Sequence, residues 1–213
     1  MRSTDRPFGR YARGFTLVEL MVVVVIITAL SALAIPSILK QMRDRRTRQA
    51  AEEIAAIYRQ ARLRALGRGS AVLVRYSNSS YTTLEAVLGG AGCTQQLPSS
   101  NCTSTAWNAL PSNLNGAQTL STWTPLLGIT SQAYADATNG SGKTSDSPVT
   151  NLDICFTPMG RALYRTGAAA PDGTPFTTMS GVPLMMVSRS GEGLKRYVVI
   201  PPNGLARTDV ATP

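Results

Sequence analysis

The stretch from Phe15 to Ile35 reads FTLVELMVVVVIITALSALAI and carries a single charge, Glu19. As a helix rising about 1.5 Å per residue it is roughly 32 Å long, enough to cross a hydrocarbon core of about 30 Å. Ahead of it lie residues 1–14, MRSTDRPFGRYARG, where Arg2, Arg6, Arg10 and Arg13 outweigh Asp5. Positive charge on that side places the N-terminus in the cytoplasm and the rest of the chain in the periplasm or outside. A secretory signal would have a shorter apolar run closed by a small-residue cleavage site. Here Ala32-Leu33-Ala34 runs directly into Ile35-Pro36. A carboxylate inside a membrane helix costs roughly 2.5–3.5 kcal/mol on insertion scales, so Glu19 needs a partner. A new N-terminal amine at Phe15 would supply one.

The segment Arg13-Gly14-Phe15-Thr16-Leu17-Val18-Glu19-Leu20 resembles the prepilin peptidase site of type IV pilins and type II secretion pseudopilins. Glu19 is fifth counting from Phe15, and Pro36 falls where that family often has a helix-kinking proline. The resemblance implies cleavage between Gly14 and Phe15, N-methylation of Phe15, and a role for Glu19 in subunit assembly. It implies an inner-membrane, single-pass precursor with the N-terminus cytoplasmic and the head periplasmic. The partners it implies are prepilin peptidase, an inner-membrane assembly platform, and other pilins or pseudopilins met through the N-terminal helix.

Working outward, SILKQMRDRRTRQAAEEIAAIYRQARLRALGRG keeps helical apolar spacing from about Ala50, and Gly67 and Gly69 read as its stop. One helix is expected from about residue 15 to 66, with Pro36 removing a backbone donor and kinking it. Beyond Gly69 the pattern turns to strands. Ser70–Tyr76 and Tyr81–Leu88 pair across a Ser/Asn turn; Leu152–Thr157, Ala162–Arg165, Pro183–Arg189 and Lys195–Ile200 follow. Residues 89–150 are rich in Gly, Ser, Thr, Asn and Pro, but Trp107, Trp123, Leu126, Leu127 and Ile129 require part of this run to pack. A mobile tip is expected around Asn139–Ser147.

The expected fold is α+β: a long N-terminal helix packed on an antiparallel β-sheet head, which the resemblance makes the type IV pilin fold. The domains are a leader at 1–14, a transmembrane or filament-core helix at 15–36, an amphipathic half-helix at 37–68 and a β-rich head at 69–213. The C-terminal half, through CFTPMGRA at 155–162 and the turn Asn203-Gly204-Leu205-Ala206-Arg207, is similar to the GspH/FimT type of minor pilin head.

The chain has no histidine, which removes histidine acid–base catalysis and histidine metal sites. A phosphate-binding glycine loop and a carboxylate cluster are absent as well, so no enzyme is expected and no cofactor or metal. Asp136, Asp146, Asp153 and Asp172 read as turn residues. Formal net charge is +9, and +6 once residues 1–14 are set aside. That basic balance motivates a second reading, a DNA-binding minor pilin for uptake. Of the three cysteines, Cys93 and Cys102 are expected to close a small polar loop as a disulfide; the alternative pairs one of them with Cys155.

Overall fold

The computed structural model describes residues 14–88, 97–103, 105–108, 116–126, 128–135, 148–167, 175–179, 181–189 and 195–210. Its helix α1 (Leu17–Arg68) crosses from one compact unit, Met1–Met42, into a second, Arg43–Pro213. In the first unit the described apolar side chains, from Phe15 at 82% exposure to Met42 at 49%, stand in solvent. The hydroxyl of Thr28 is satisfied within the helix, donating to the carbonyls of Val24 and Val25 at 2.9 Å each. Such a back-bonded hydroxyl adds little polarity to an apolar rod.

The second unit holds the core. Ala51, Ile54, Ala55, Tyr58, Ala61 and Ala65 line one buried face of α1. Their spacing is helical, and the alanines let a sheet approach closely. Strands β1 (Val72–Ser77), β2 (Ser80–Leu88), β3 (Leu97–Pro98), β4 (Gly116–Trp123), β5 (Ile129–Tyr134), β6 (Asn151–Phe156), β7 (Ala162–Thr166), β8 (Thr177–Thr178), β9 (Leu184–Arg189), β10 (Arg196–Val199) and β11 (Arg207–Val210) follow. They form two antiparallel sheets, one ordered β3-β2-β1-β6-β7-β8 with β4 on β2, the other β11-β10-β9-β5. The α+β expectation of a long helix on antiparallel sheet therefore holds.

Alternation along the strands sorts their side chains. Val72, Val74 and Tyr76 of β1 and Leu152, Ile154 and Phe156 of β6 join the helix face, as do Met185, Val187 and Val198 of the other sheet. Ala71, Leu73 and Cys155 point the other way, into a second cluster with Leu84, Ala86, Cys102, Trp107 and Ala117. Part of the polar run thus packs by covering the back of the first sheet, while its Trp123 and Ile129 join the helix-side core. Its expected tip at Asn139–Ser147 lies outside the described residues.

The disulfide expectation is corrected here. Cys102 bonds Cys155, across a Cα–Cα distance of 6.1 Å and a sequence separation of 53. Cys93 lies outside the described residues. The backbone explains the pairing: Ala71 N–H donates to Ser99 O at 2.6 Å and Ser99 N–H to Ala86 O at 3.0 Å. These bonds clamp the chain beside β2, and Trp107 Nε1 donates to Cys102 O at 2.9 Å. Cys102 is thereby held over the C-terminal end of β6.

Tyr81 is the hub of an aromatic cluster, with ring centroids 6.4 Å from Tyr58, 5.3 Å from Tyr76 and 5.6 Å from Trp123. Burial pushes the Tyr58 and Tyr81 phenols well above their ordinary value. Both stay neutral in the fold, while the unfolded chain begins to ionise them near pH 10. Stability is therefore intact below about pH 10 and falls above it, by up to about 1.4 kcal/mol per pH unit per tyrosine. Urea midpoints measured at rising pH should drop from that point onward; a flat profile up to pH 11.5 would contradict the assignment.

Two turns need unusual backbone. Asn78 and Ser79 close the β1–β2 hairpin at φ 47° and 65°, as a two-residue primed turn requires. Gly204 has φ 72°, and a Cβ there would stand 2.8 Å from both Arg62 Cδ and Phe156 Cε1. Gly204→Ala is expected to destabilise by roughly 2–4 kcal/mol, combining left-handed strain with overpacking. Chemical denaturation would read the loss directly.

Candidate functional site

The first turn of α1 carries the candidate assembly site. Gly14, Phe15 and Thr16 precede the helix in non-helical backbone. Thr16 is the N-cap: its Oγ1 accepts from Glu19 N–H at 3.3 Å, and its carbonyl accepts from Leu20 N–H at 3.2 Å. Thr16-Leu17-Val18-Glu19 is thus the T-x-x-E pattern of a capping box. Only the threonine half of that exchange is formed. The Glu19 carboxylate has no hydrogen bond or ion pair among the described residues. Its position in the first turn is favoured by the positive end of the helix dipole.

Thr16 apart, the described side chains flanking that carboxylate on α1 are apolar and uncovered. Leu17, Val18, Leu20, Met21 and Val22 are between 53% and 73% exposed. A surface of this kind is stable only against another apolar phase. No single helix among the described residues meets the length and apolarity required to cross a membrane. The pieces Leu17–Ala32 and Ser37–Arg68 do so only taken together, broken where Pro36 lies.

In the second unit, charge is anchored internally. Glu85 is buried, and its Oε2 accepts from Arg64 Nε at 2.9 Å and Nη2 at 2.7 Å. Its Oε1 accepts from Ser70 Oγ at 2.7 Å and faces Arg68 Nε at 3.1 Å. This ties the last turns of α1 to β2. Asp153 stands directly opposite Arg75 on β1 and Arg165 on β7. It is therefore a mid-strand ion-pair centre and not the turn residue expected. A groove of about 360 Å³ runs between α1 and β4, lined by Ile57, Gln60, Ala61, Arg64, Thr83, Leu120 and Ser121. Its arginine is already bonded to Glu85. Among the described residues no three His, Cys, Asp or Glu side chains are placed to share a metal ion.

Of the residues singled out in the sequence, Gly14, Phe15 and Glu19 sit together at the start of α1. Pro36 lies within the helix, its side chain outside the described set. The capping role of Thr16 was missed, although the T-x-x-E spacing displays it.

Residues 9–35 match the family described as the prokaryotic N-terminal methylation motif. The match is confined to this N-terminal segment, which includes Gly14, Phe15 and Glu19. Among solved structures, the crystal structure of the Pseudomonas aeruginosa (strain PAO1) type IV minor pilin FimU is similar at 14% identity and a TM-score of 0.38. The likeness spans 76% of this chain and 90% of that one. No curated protein matches the sequence.

Proposed function

We propose that this chain is a minor pilin or pseudopilin, a structural subunit processed at its N-terminus and assembled through α1 into a type IV pilus or secretion pseudopilus. The carrying observation is the Glu19 carboxylate, without a partner among the described residues, in the exposed apolar first half of a helix whose start lies in the methylation motif. Prepilin peptidase cuts between Gly14 and Phe15, the Phe15 amine is methylated, and the processed helix waits in the inner membrane. On assembly by the inner-membrane platform, Glu19 of one subunit meets the Phe15 amine of its neighbour. In low dielectric that attraction is strong, but desolvation offsets much of it, so the pair sets register more than it adds stability. The minor class is supported by the CFTPMGRA segment, which forms the end of β6, the turn at 157–161 and the start of β7. Pro36 would kink the helix between its two roles.

Mass spectrometry of the processed N-terminus should find methylated Phe15. Glu19→Ala should insert and be cut normally, yet be lost from sheared filaments; normal incorporation of that variant would sink the proposal. The second reading, DNA capture, is favoured only by the +6 charge of residues 15–213. Gel shifts at several salt concentrations decide it, since phosphate-driven affinity falls steeply with salt.

A further inference from the structure

Arg59, Arg62, Leu63 and Leu66 fall on one stripe of α1, spaced i, i+3, i+4 and i+7. Two turns of the same unit lie against that stripe. At Gly160, in the β6–β7 turn, a Cβ would stand 3.8 Å from Leu66 Cδ2 and 3.9 Å from Arg62 Nη2. At Gly204, between β10 and β11, the backbone presses on Arg62, and Ala206 O accepts from Arg59 Nη1 at 2.9 Å. Met159 and Leu205 are the residues beside those glycines, and they point outward at 86% and 52% exposure. Leu63 and Leu66 add 65% and 43%. A single exposed leucine means nothing, but four large apolar side chains around one pair of turns form a patch.

The charge within the patch has one sign. Arg59, Arg62 and the exposed Arg161 have no ion pair among the described residues, and Arg62 Nε is buried without a hydrogen-bond acceptor. Elsewhere in the unit four described carboxylates are engaged by arginines: Asp44 by Arg196, Glu52 by Arg48, Glu85 by Arg64 and Arg68, Asp153 by Arg75 and Arg165. Glu53 accepts from Trp123 Nε1 and Asp209 from the Val210 N–H. An apolar centre with unanswered guanidinium groups complements a surface that is itself apolar beneath and anionic at its face. We propose that this patch docks on a phospholipid bilayer rich in anionic headgroups. Leu63, Leu66, Met159 and Leu205 enter the boundary between headgroups and acyl chains, and the arginines bind lipid phosphates. A nucleic acid would use the arginines but leave the four apolar residues in water, and the patch offers no aromatic platform for bases.

This inference is independent of the pilin reading, because it concerns only the second unit. Every buried residue described, and the disulfide, lies within 43–213, so that fragment keeps the whole described core without residues 1–42 and is the proper test object. Flotation with phosphatidylcholine vesicles containing about a third phosphatidylglycerol should carry the fragment upward; pure phosphatidylcholine should not. Arg161→Ala should lower the partition about fivefold. The pair Met159→Ser with Leu205→Ser should abolish flotation while leaving circular dichroism and melting unchanged, since both side chains are exposed. Failure to float on the anionic vesicles overturns the proposal. So does a serine pair that floats undiminished while duplex DNA displaces it, which would make the patch a polyanion site governed by charge alone.

Discussion

Asp153→Ala is expected to destabilise the unit Arg43–Pro213 by about 3–5 kcal/mol, a large share of the total for a domain of this size. Asp153 Oδ1 accepts from Arg75 Nε at 3.0 Å, and Oδ2 accepts from Arg165 Nε at 3.0 Å and from Arg75 Nη2 at 3.1 Å. Its side chain is 1% exposed and that of Arg165 only 3%. Arg165 is further enclosed by the Phe176 ring, 4.3 Å from its guanidinium carbon, and Arg75 also donates to Asn108 Oδ1. Removing the carboxylate takes away the acceptor that Arg75 and Arg165 share, and the more buried guanidinium, that of Arg165, cannot escape to water. Asp153→Asn should lose somewhat less, because the amide oxygen still accepts a hydrogen bond. The measurement is equilibrium unfolding in urea. A loss below 1 kcal/mol for Asp153→Ala would mean that water reaches the cluster.

Breaking the disulfide is the second large effect. Closing a loop of this separation restrains the unfolded chain by about 4 kcal/mol on the chain-entropy estimate. Cys102→Ser and Cys155→Ser should each lose about that much, with Cys155→Ser worse because its hydroxyl is buried between Leu73 and Leu163 with no planned partner. Treatment of the native head with reductant should lower its melting temperature to nearly that of Cys102→Ser. Peptide mapping under non-reducing conditions should recover Cys102 linked to Cys155. Recovery of Cys93 linked to Cys102 would overturn the Cys102–Cys155 pairing.

What could be read in the sequence follows what burial writes into it. α1 was legible almost to its ends, because its first half is uniformly apolar and its second half has a buried stripe closed by Gly67 and Gly69. β1, β2, β6, β9 and β10 announce themselves through β-branched and aromatic residues facing a core. β4, GAQTLSTW, and β11, RTDV, do not: the first is an edge strand with half its residues exposed, the second is exposed throughout. Edge strands are held by backbone ladders, which leave little trace in side-chain pattern. Asp153 was misread for a related reason. Its meaning comes from Arg75 and Arg165 on neighbouring strands, and register decides that partnership, not local sequence. Cys102 likewise depended on the clamp at Ser99. In the candidate site, Gly14, Phe15 and Glu19 were legible because the motif is contiguous.

The threonine cap has a consequence for a protease. Because the helix starts behind Thr16, the Gly14–Phe15 peptide bond belongs to no helical turn, and its carbonyl and amide are committed to none of the helix's hydrogen bonds. In the proposed processing, an enzyme that binds its substrate as an extended strand can take hold of this bond without unravelling the rod behind it. The cap then acts as a stop: it keeps the melted region to a couple of residues and presents the same short tether to the catalytic groups whatever happens further along the helix.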